Sequence, residues 1–142
     1  MIKKNNIEKY VKLFKSLNLE NLNKFDDLLD ENIYFEDPFN KIYGIENFKR
    51  IFFNTLNKLD NVEFKVLDIF SKNNIYILKW EMIYFAFNKN NSILGLSEVS
   101  ISENNKIVSH VDYCDSYNNF YTKIPIYGLI FRFVLSLVKK KI

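Results

Sequence analysis

The sequence predicts an α+β fold in which helices come first, a curved and mainly antiparallel sheet follows, and one more helix ends the chain. Three observations carry this. Apolar residues recur every three or four positions as far as Leu59, the period switches to two from residue 62 onward, and the last segment is apolar nearly all round. A chain of 142 residues has room for one core of ordinary size, so residues 1–142 are expected to form a single domain. Hydrophobic residues make up 48% of it and aromatic residues 17%, which excludes a disordered chain.

Ile7, Tyr10, Val11, Phe14 and Leu17 share one helical face, with Asn5 or Asn6 available to cap it. Leu22, Phe25, Leu28 and Leu29 repeat the pattern after a break at residues 18–21, and predict a second helix. Residues 33–36 turn β-prone and stop at Asp37-Pro38, because proline holds its predecessor extended and donates nothing to a ladder. Gly44 closes the following loop, and Phe48, Ile51, Phe52, Leu56 and Leu59 mark a third helix. Four strands in antiparallel succession are then expected near residues 62–70, 75–87, 93–102 and 107–113. Asn73-Asn74 and Asn104-Asn105 suit the turns between them, since Asn tolerates the left-handed conformation. Residues 124–142 read as a helix starting near Pro125, whose apolar surface calls for cover. Its own domain or a dimer mate is the plainer cover. A membrane surface is the sharper one, with Lys139, Lys140 and Lys141 at anionic headgroups.

The net charge of +3 is slight and the lysines are scattered, which argues against a nucleic-acid partner. Cys114 is the sole cysteine, so no intrachain disulfide can form, and a reducing, cytoplasmic setting fits. The basic start is interrupted by Glu8, Lys9, Lys12 and Lys15, so no export signal is read. Residues 124–138 contain Arg132 and fall short of the ~20 apolar residues a membrane span needs. One histidine and scattered carboxylates give no metal-ligand spacing, and no cofactor is implied.

Chemistry is expected in residues 107–115, Ile-Val-Ser-His-Val-Asp-Tyr-Cys-Asp, which hold the only histidine. In a strand, Val108, His110 and Asp112 share one face while Ile107, Ser109, Val111 and Tyr113 share the other. His110 and Asp112 then point together into a pocket wall, the carboxylate orienting the imidazole, as a candidate acid/base pair. The plainer alternative is a buried pair that orders the strand end. Asp37 is the third candidate catalytic residue, against a plain role in the turn before Pro38. Tyr34, Trp80, Met82 and Tyr113 are assigned to the ligand-binding wall. Tyr76, Leu78, Trp80, Met82 and Tyr84 form the more apolar face of their strand.

Phe35-Glu36-Asp37-Pro38, Gly44-Ile45-Glu46 and the helix carrying Phe48 and Phe52 resemble the signature of SnoaL-like domains in the nuclear transport factor 2-like superfamily. Trp80 and Met82, Gly95-Leu96-Ser97 and His110-Val111-Asp112-Tyr113-Cys114-Asp115 resemble an uncharacterised bacterial branch of it, as do Tyr121, Ile124-Pro125 and Gly128. Val111 and Cys114 stand where that branch carries Arg and an aromatic residue. The resemblance implies a cone-shaped fold and a homodimer formed through the sheet. It also implies a cavity for a small hydrophobic molecule, on which a cofactor-free enzyme would isomerise, hydrate or hydrolyse. A non-catalytic carrier or sensor of a lipid-like ligand is the alternative class.

Ketosteroid isomerases of the superfamily put their general base at the position of Asp37. Alignment without gaps puts Leu13 at their oxyanion tyrosine, with Tyr10 one turn away, and Ser97 or Glu98 near their aspartic acid. Limonene epoxide hydrolases match Asp112, but their Arg-x-Asp pair meets Lys79-Trp80-Glu81 here, and lysine does not replace a planar guanidinium fork.

Overall fold

The computed structural model describes residues 2–119, 121–123 and 125–139. Helix α1 (Ile2–Lys15) and a 3-10 turn (Leu22–Asp27) lead into β1 (Leu29–Glu36), β2 (Lys41–Tyr43) and α2 (Ile45–Lys58). Strands β3 (Asp60–Lys72), β4 (Ile75–Ala86), β5 (Lys89–Ile101) and β6 (Ile107–Cys114) follow. Short helix α3 (Ser116–Asn119), a 3-10 turn (Tyr121–Lys123) and α4 (Pro125–Lys139) complete the order. Ile124, Lys140 and Lys141, which the sequence reading used in its C-terminal helix, lie outside the described residues.

The helix expected over Leu22 to Leu29 is instead a 3-10 turn that gives way to β1 four residues earlier than residue 33. Its apolar residues Leu22, Phe25 and Leu28 fall three apart, which is the 3-10 period. The preceding corner is tied by Asn18 and Asn21, whose side chains hydrogen-bond local backbone N–H and carbonyl groups. Helix α1 begins ahead of Asn5 and Asn6, so neither caps it; Asn6 donates to the Asn105 carbonyl. Helix α2 starts after Gly44, whose φ of 90° admits glycine and strains any other residue.

The six strands lie in the order β2-β1-β6-β5-β4-β3. Only β1 and β6 pair in parallel; the other neighbours are antiparallel. Asn73 and Asn105 adopt positive φ in the expected turns, and Phe87 and Asn88 form a further tight turn that starts β5 at Lys89 rather than residue 93. In β5 Ile93, Gly95, Ser97, Val99 and Ile101 point inward, while Leu94 and Leu96 point out.

Inside the sheet, Tyr10, Phe14, Phe25, Phe35, Phe48 and Phe52 form an aromatic cluster with α1 and α2 above it. Each such ring contributes about 1.5–3 kcal/mol by leaving water. Ile107 belongs to this core although strict alternation puts it opposite His110. A register irregularity between Ser100 and Ile101 pairs Ile107 with Ile101 and turns it inward. The α+β, cone-like arrangement of helices on a mainly antiparallel sheet is the one the sequence predicts. Among the described residues no helix is long and apolar enough to cross a membrane.

Candidate functional site

A cavity of about 450 Å³ opens between the helices and the inner face of the sheet. Its wall is mainly apolar. Phe14 and Phe52 come from the helices, Phe64, Leu78, Trp80 and Met82 from β3 and β4. Trp80 lies across from Gly95 in the β4–β5 register, and a Cβ on Gly95 would stand 2.4 Å from the indole. The missing side chain of Gly95 is therefore the space that the indole occupies.

Polar side chains gather on β5 and β6. Trp80 Nε1 donates to Ser97 Oγ at 2.7 Å, and Ser97 donates in turn to Asp112 Oδ1. His110 Nε2 lies 2.7 Å from the same carboxylate oxygen and 3.1 Å from Ser97 Oγ. Tyr10 Oη lies 2.5 Å from His110 Nδ1. The pattern assigns the protons: Nε2–H donates to Asp112, and Nδ1 accepts from the Tyr10 hydroxyl. Burial, with the Asp112 charge adding, pushes the Tyr10 phenol well above its ordinary pKa, so it remains a donor. His110 is buried among Tyr10, Phe14, Phe35 and Phe48, with ring centroids 5.3–6.1 Å away.

Both nitrogens of His110 are thus engaged by the protein. Asp112 is different: it is part-buried, lines the cavity, and no described residue donates to its Oδ2. Asp37 lies on the rim, and its Oδ1 accepts from the backbone N–H groups of Phe39 (2.8 Å) and Asn40 (2.6 Å). The Asn40 side chain donates to both its oxygens at 3.0 Å. The carboxylate of Asp37 holds the 37–40 turn. Burial, reinforced by the charges of Asp112, Asp37 and Asp115, pushes the Cys114 thiol up to about 11, leaving it protonated at the cavity wall.

The structure brings His110, Asp112, Trp80 and Met82 together at the cavity, with Asp37 at its edge. Tyr34 and Tyr113 lie elsewhere. Tyr34 stacks on Tyr43 and donates to Glu36 on the outer face, and Tyr113 is 58% exposed there. The cause is the strand period: Phe35 beside Tyr34, and Asp112 and Cys114 on either side of Tyr113, all face inward. Lys79, next to Trp80, is likewise turned away from the cavity. Ser97 and Tyr10 were not among the sequence-derived site residues. The signal for each was a lone polar group in an apolar stripe, Ser97 between Gly95 and Val99 and Tyr10 between Ile7 and Phe14. Among the described residues no group of three or more His, Cys, Asp or Glu side chains is placed to hold a metal ion.

This architecture is the NTF2-like fold. An NTF2-like protein of unknown function from Exiguobacterium sp. 255-15 superimposes with a TM-score of 0.67 at 13% identity, covering 78% of this chain and 98% of its own. An LEH-like epoxide hydrolase of M. tuberculosis gives 0.67 at 15% identity, covering 97% and 96%. A putative isomerase of the SnoaL-like family from Agrobacterium tumefaciens gives 0.66 at 16% identity, covering 80% and 97%. Within this fold the chain belongs to the family described as "Uncharacterized conserved protein (DUF2358)", matched over residues 8–110. Among curated proteins, none matches the sequence.

Proposed function

We propose that the protein binds a small, largely apolar molecule in its cavity and shuttles a proton on it, with Asp112 as the acid/base group. The observation that carries this is a cavity-lining carboxylate whose Oδ1 is held by Ser97 and His110 while no described residue donates to its other oxygen. A single base suffices for isomerisation: it takes a proton from a carbon next to a carbonyl and returns it to another carbon. Hydrolysis needs a held water and a separate acid, and the other carboxylate of the cavity, Asp37, is spent on its turn. Isomerase chemistry is therefore favoured over hydrolase chemistry. His110 acts on Asp112 rather than on the substrate, and Tyr10 holds His110. Trp80 and Met82 give the ligand its apolar wall.

The test starts with native mass spectrometry of the purified protein to identify any bound molecule. Trp80, the only tryptophan, lines the cavity, so its emission reports occupancy. Asp112→Asn is expected to keep binding and lose turnover by roughly 10²-fold or more. Full turnover in that variant rejects the assignment.

A second reading rests on the same saturation of polar groups. With His110 and Asp37 satisfied internally, Asp112 would serve only to anchor a ligand hydroxyl or amine, as in a carrier. A ligand retained by the wild type, weakened in Asp112→Asn and never converted, is the result that favours it. We also propose a cytoplasmic homodimer, supported by the reduced state expected of Cys114 and by the exposed Phe70, Leu94, Leu96 and Tyr113 on the outer sheet face. Leu96→Glu should then give a monomer in sedimentation.

A further inference from the structure

Helix α4 turns its apolar side outward. Leu129, Phe133 and Leu137 form one line along it and Ile130, Val134 and Val138 the next, at the four-residue spacing of a helix face. Each of the six is about half exposed or more, with Phe133 at 65%. The less exposed Gly128 and Leu135 fall on the opposite side, next to Arg132 and Lys139. A helix that folds onto its own core shows the reverse pattern.

Charge says what covers this face. All 17 Asp and Glu lie at or before Asp115, whereas Lys123, Arg132, Lys139, Lys140 and Lys141 follow it. The segment is basic without relief, attached to a body with a slight acidic excess. Anionic lipid supplies both halves of the pattern: hydrocarbon for the two apolar lines and negative headgroups for the long basic side chains of the opposite, polar side and of the segment's ends. Fifteen residues at ~1.5 Å each reach about 22 Å, short of the ~30 Å hydrocarbon core, so the helix lies in the surface.

The helix is also joined to the cavity. Phe131 meets Tyr121 at 5.1 Å between ring centroids, and Tyr121 meets Phe39 at 6.3 Å. Phe39 lines the cavity and is 52% exposed, which puts it at the rim. We propose that α4 is an interfacial helix that docks the protein on anionic lipid with the cavity mouth beside the docking surface, so that the ligand is an amphiphile drawn from that lipid phase. The second half rests on the ligand-binding reading of the cavity; the docking does not.

The test is flotation of the full-length protein with vesicles of phosphatidylcholine alone or with about a third phosphatidylglycerol. Binding should be roughly tenfold or more tighter on the anionic vesicles and should fall in about 0.5 M salt. Phe133→Asp should abolish it without changing thermal unfolding, since Phe133 is exposed. In parallel, decanol is titrated into wild type and Phe133→Asp while Trp80 emission is followed. Absent flotation with an intact Trp80 response overturns the docking and leaves the cavity reading standing. Flotation without any Trp80 response supports the docking and overturns the lipid-derived ligand. Equal binding to both vesicles overturns the charge argument. A dimer lost in Phe133→Asp, with no difference in flotation, assigns α4 to a second copy and overturns the proposal.

Discussion

Tyr10 and Asp112 hold His110 from both sides, and the value of each contact follows from its burial. Removing the Tyr10 hydroxyl leaves Nδ1 unpaired among phenyl rings, where an orphaned polar atom costs about 1–3 kcal/mol. Tyr10→Phe should lower the unfolding free energy by that amount, read as a lower denaturant midpoint with an unchanged slope; an unaltered midpoint means the bond contributes nothing. Cys114 offers a second check at this scale. With its thiol near 11 instead of the ordinary 9.0, the thiolate fraction at pH 8 is about a hundredfold smaller, and alkylation should slow by that factor until the protein is unfolded. Labelling at the rate of an open thiol contradicts the burial. The pairing of His110 with Asp112 was legible from a two-residue spacing alone. The same parity excludes Tyr113 from the cavity, because its neighbours Asp112 and Cys114 both face in. Tyr10 stood out as a polar group in an apolar stripe, but its pairing with His110 was hidden because the two lie a hundred residues apart, and no local pattern announces a contact of that range.

Within elements, the fit of Trp80 over Gly95 sets the shape of the cavity wall. Gly95→Ala would put a methyl group 2.4–2.9 Å from three indole carbons, too close for any real contact, so the ring must move. The expected cost is about 1–3 kcal/mol, the usual penalty for overpacking, together with loss of the Trp80 to Ser97 hydrogen bond. A change in Trp80 emission accompanying a lower midpoint is the signature; an unshifted spectrum refutes the close fit. Strand period and turn chemistry were readable here. Asn73 and Asn105 take the left-handed conformation that the turns required, and β4 faces the cavity with Leu78, Trp80 and Met82 of the predicted apolar set, though not with Tyr76 or Tyr84. Three features were not readable. The 3-10 turn shares its apolar spacing with an α-helix over so short a segment. The parallel pairing of β1 with β6 joins strands about seventy residues apart, which periodicity cannot register. The bulge beside Ile107 shifts the register without leaving a mark such as glycine.

At the scale of the whole molecule, several shifted groups act on alkaline stability in one direction. Burial raises the phenols of Tyr10 and Tyr84 above 10.0 and the thiol of Cys114 from 9.0 to about 11. Each therefore binds its proton more tightly in the folded chain than in the unfolded one. Such a group contributes stability that is complete below its unfolded pKa and is lost as pH rises toward the folded value. Lys49 works the same way, since its hydrogen bonds to Asp26 and Glu46 raise it above 10.5 and hold it near two carboxylates at 2.8 Å. Lys123 opposes them, because burial lowers it, and its penalty is relieved at high pH. The sum favours a decline that begins near pH 9, where the thiol of an unfolded chain starts to ionise, and steepens above pH 10 as the phenols follow. Urea unfolding at pH 7, 8, 9, 10 and 11, each about one unit apart, should show a level midpoint below pH 9 and a falling one above it. Cys114→Ala should flatten the first part of the decline and leave the steeper part, which belongs to the phenols and to Lys49. A midpoint that stays level or rises between pH 9 and 11 would show that these groups are hydrated, and with that the closed aromatic base of the cavity could not stand.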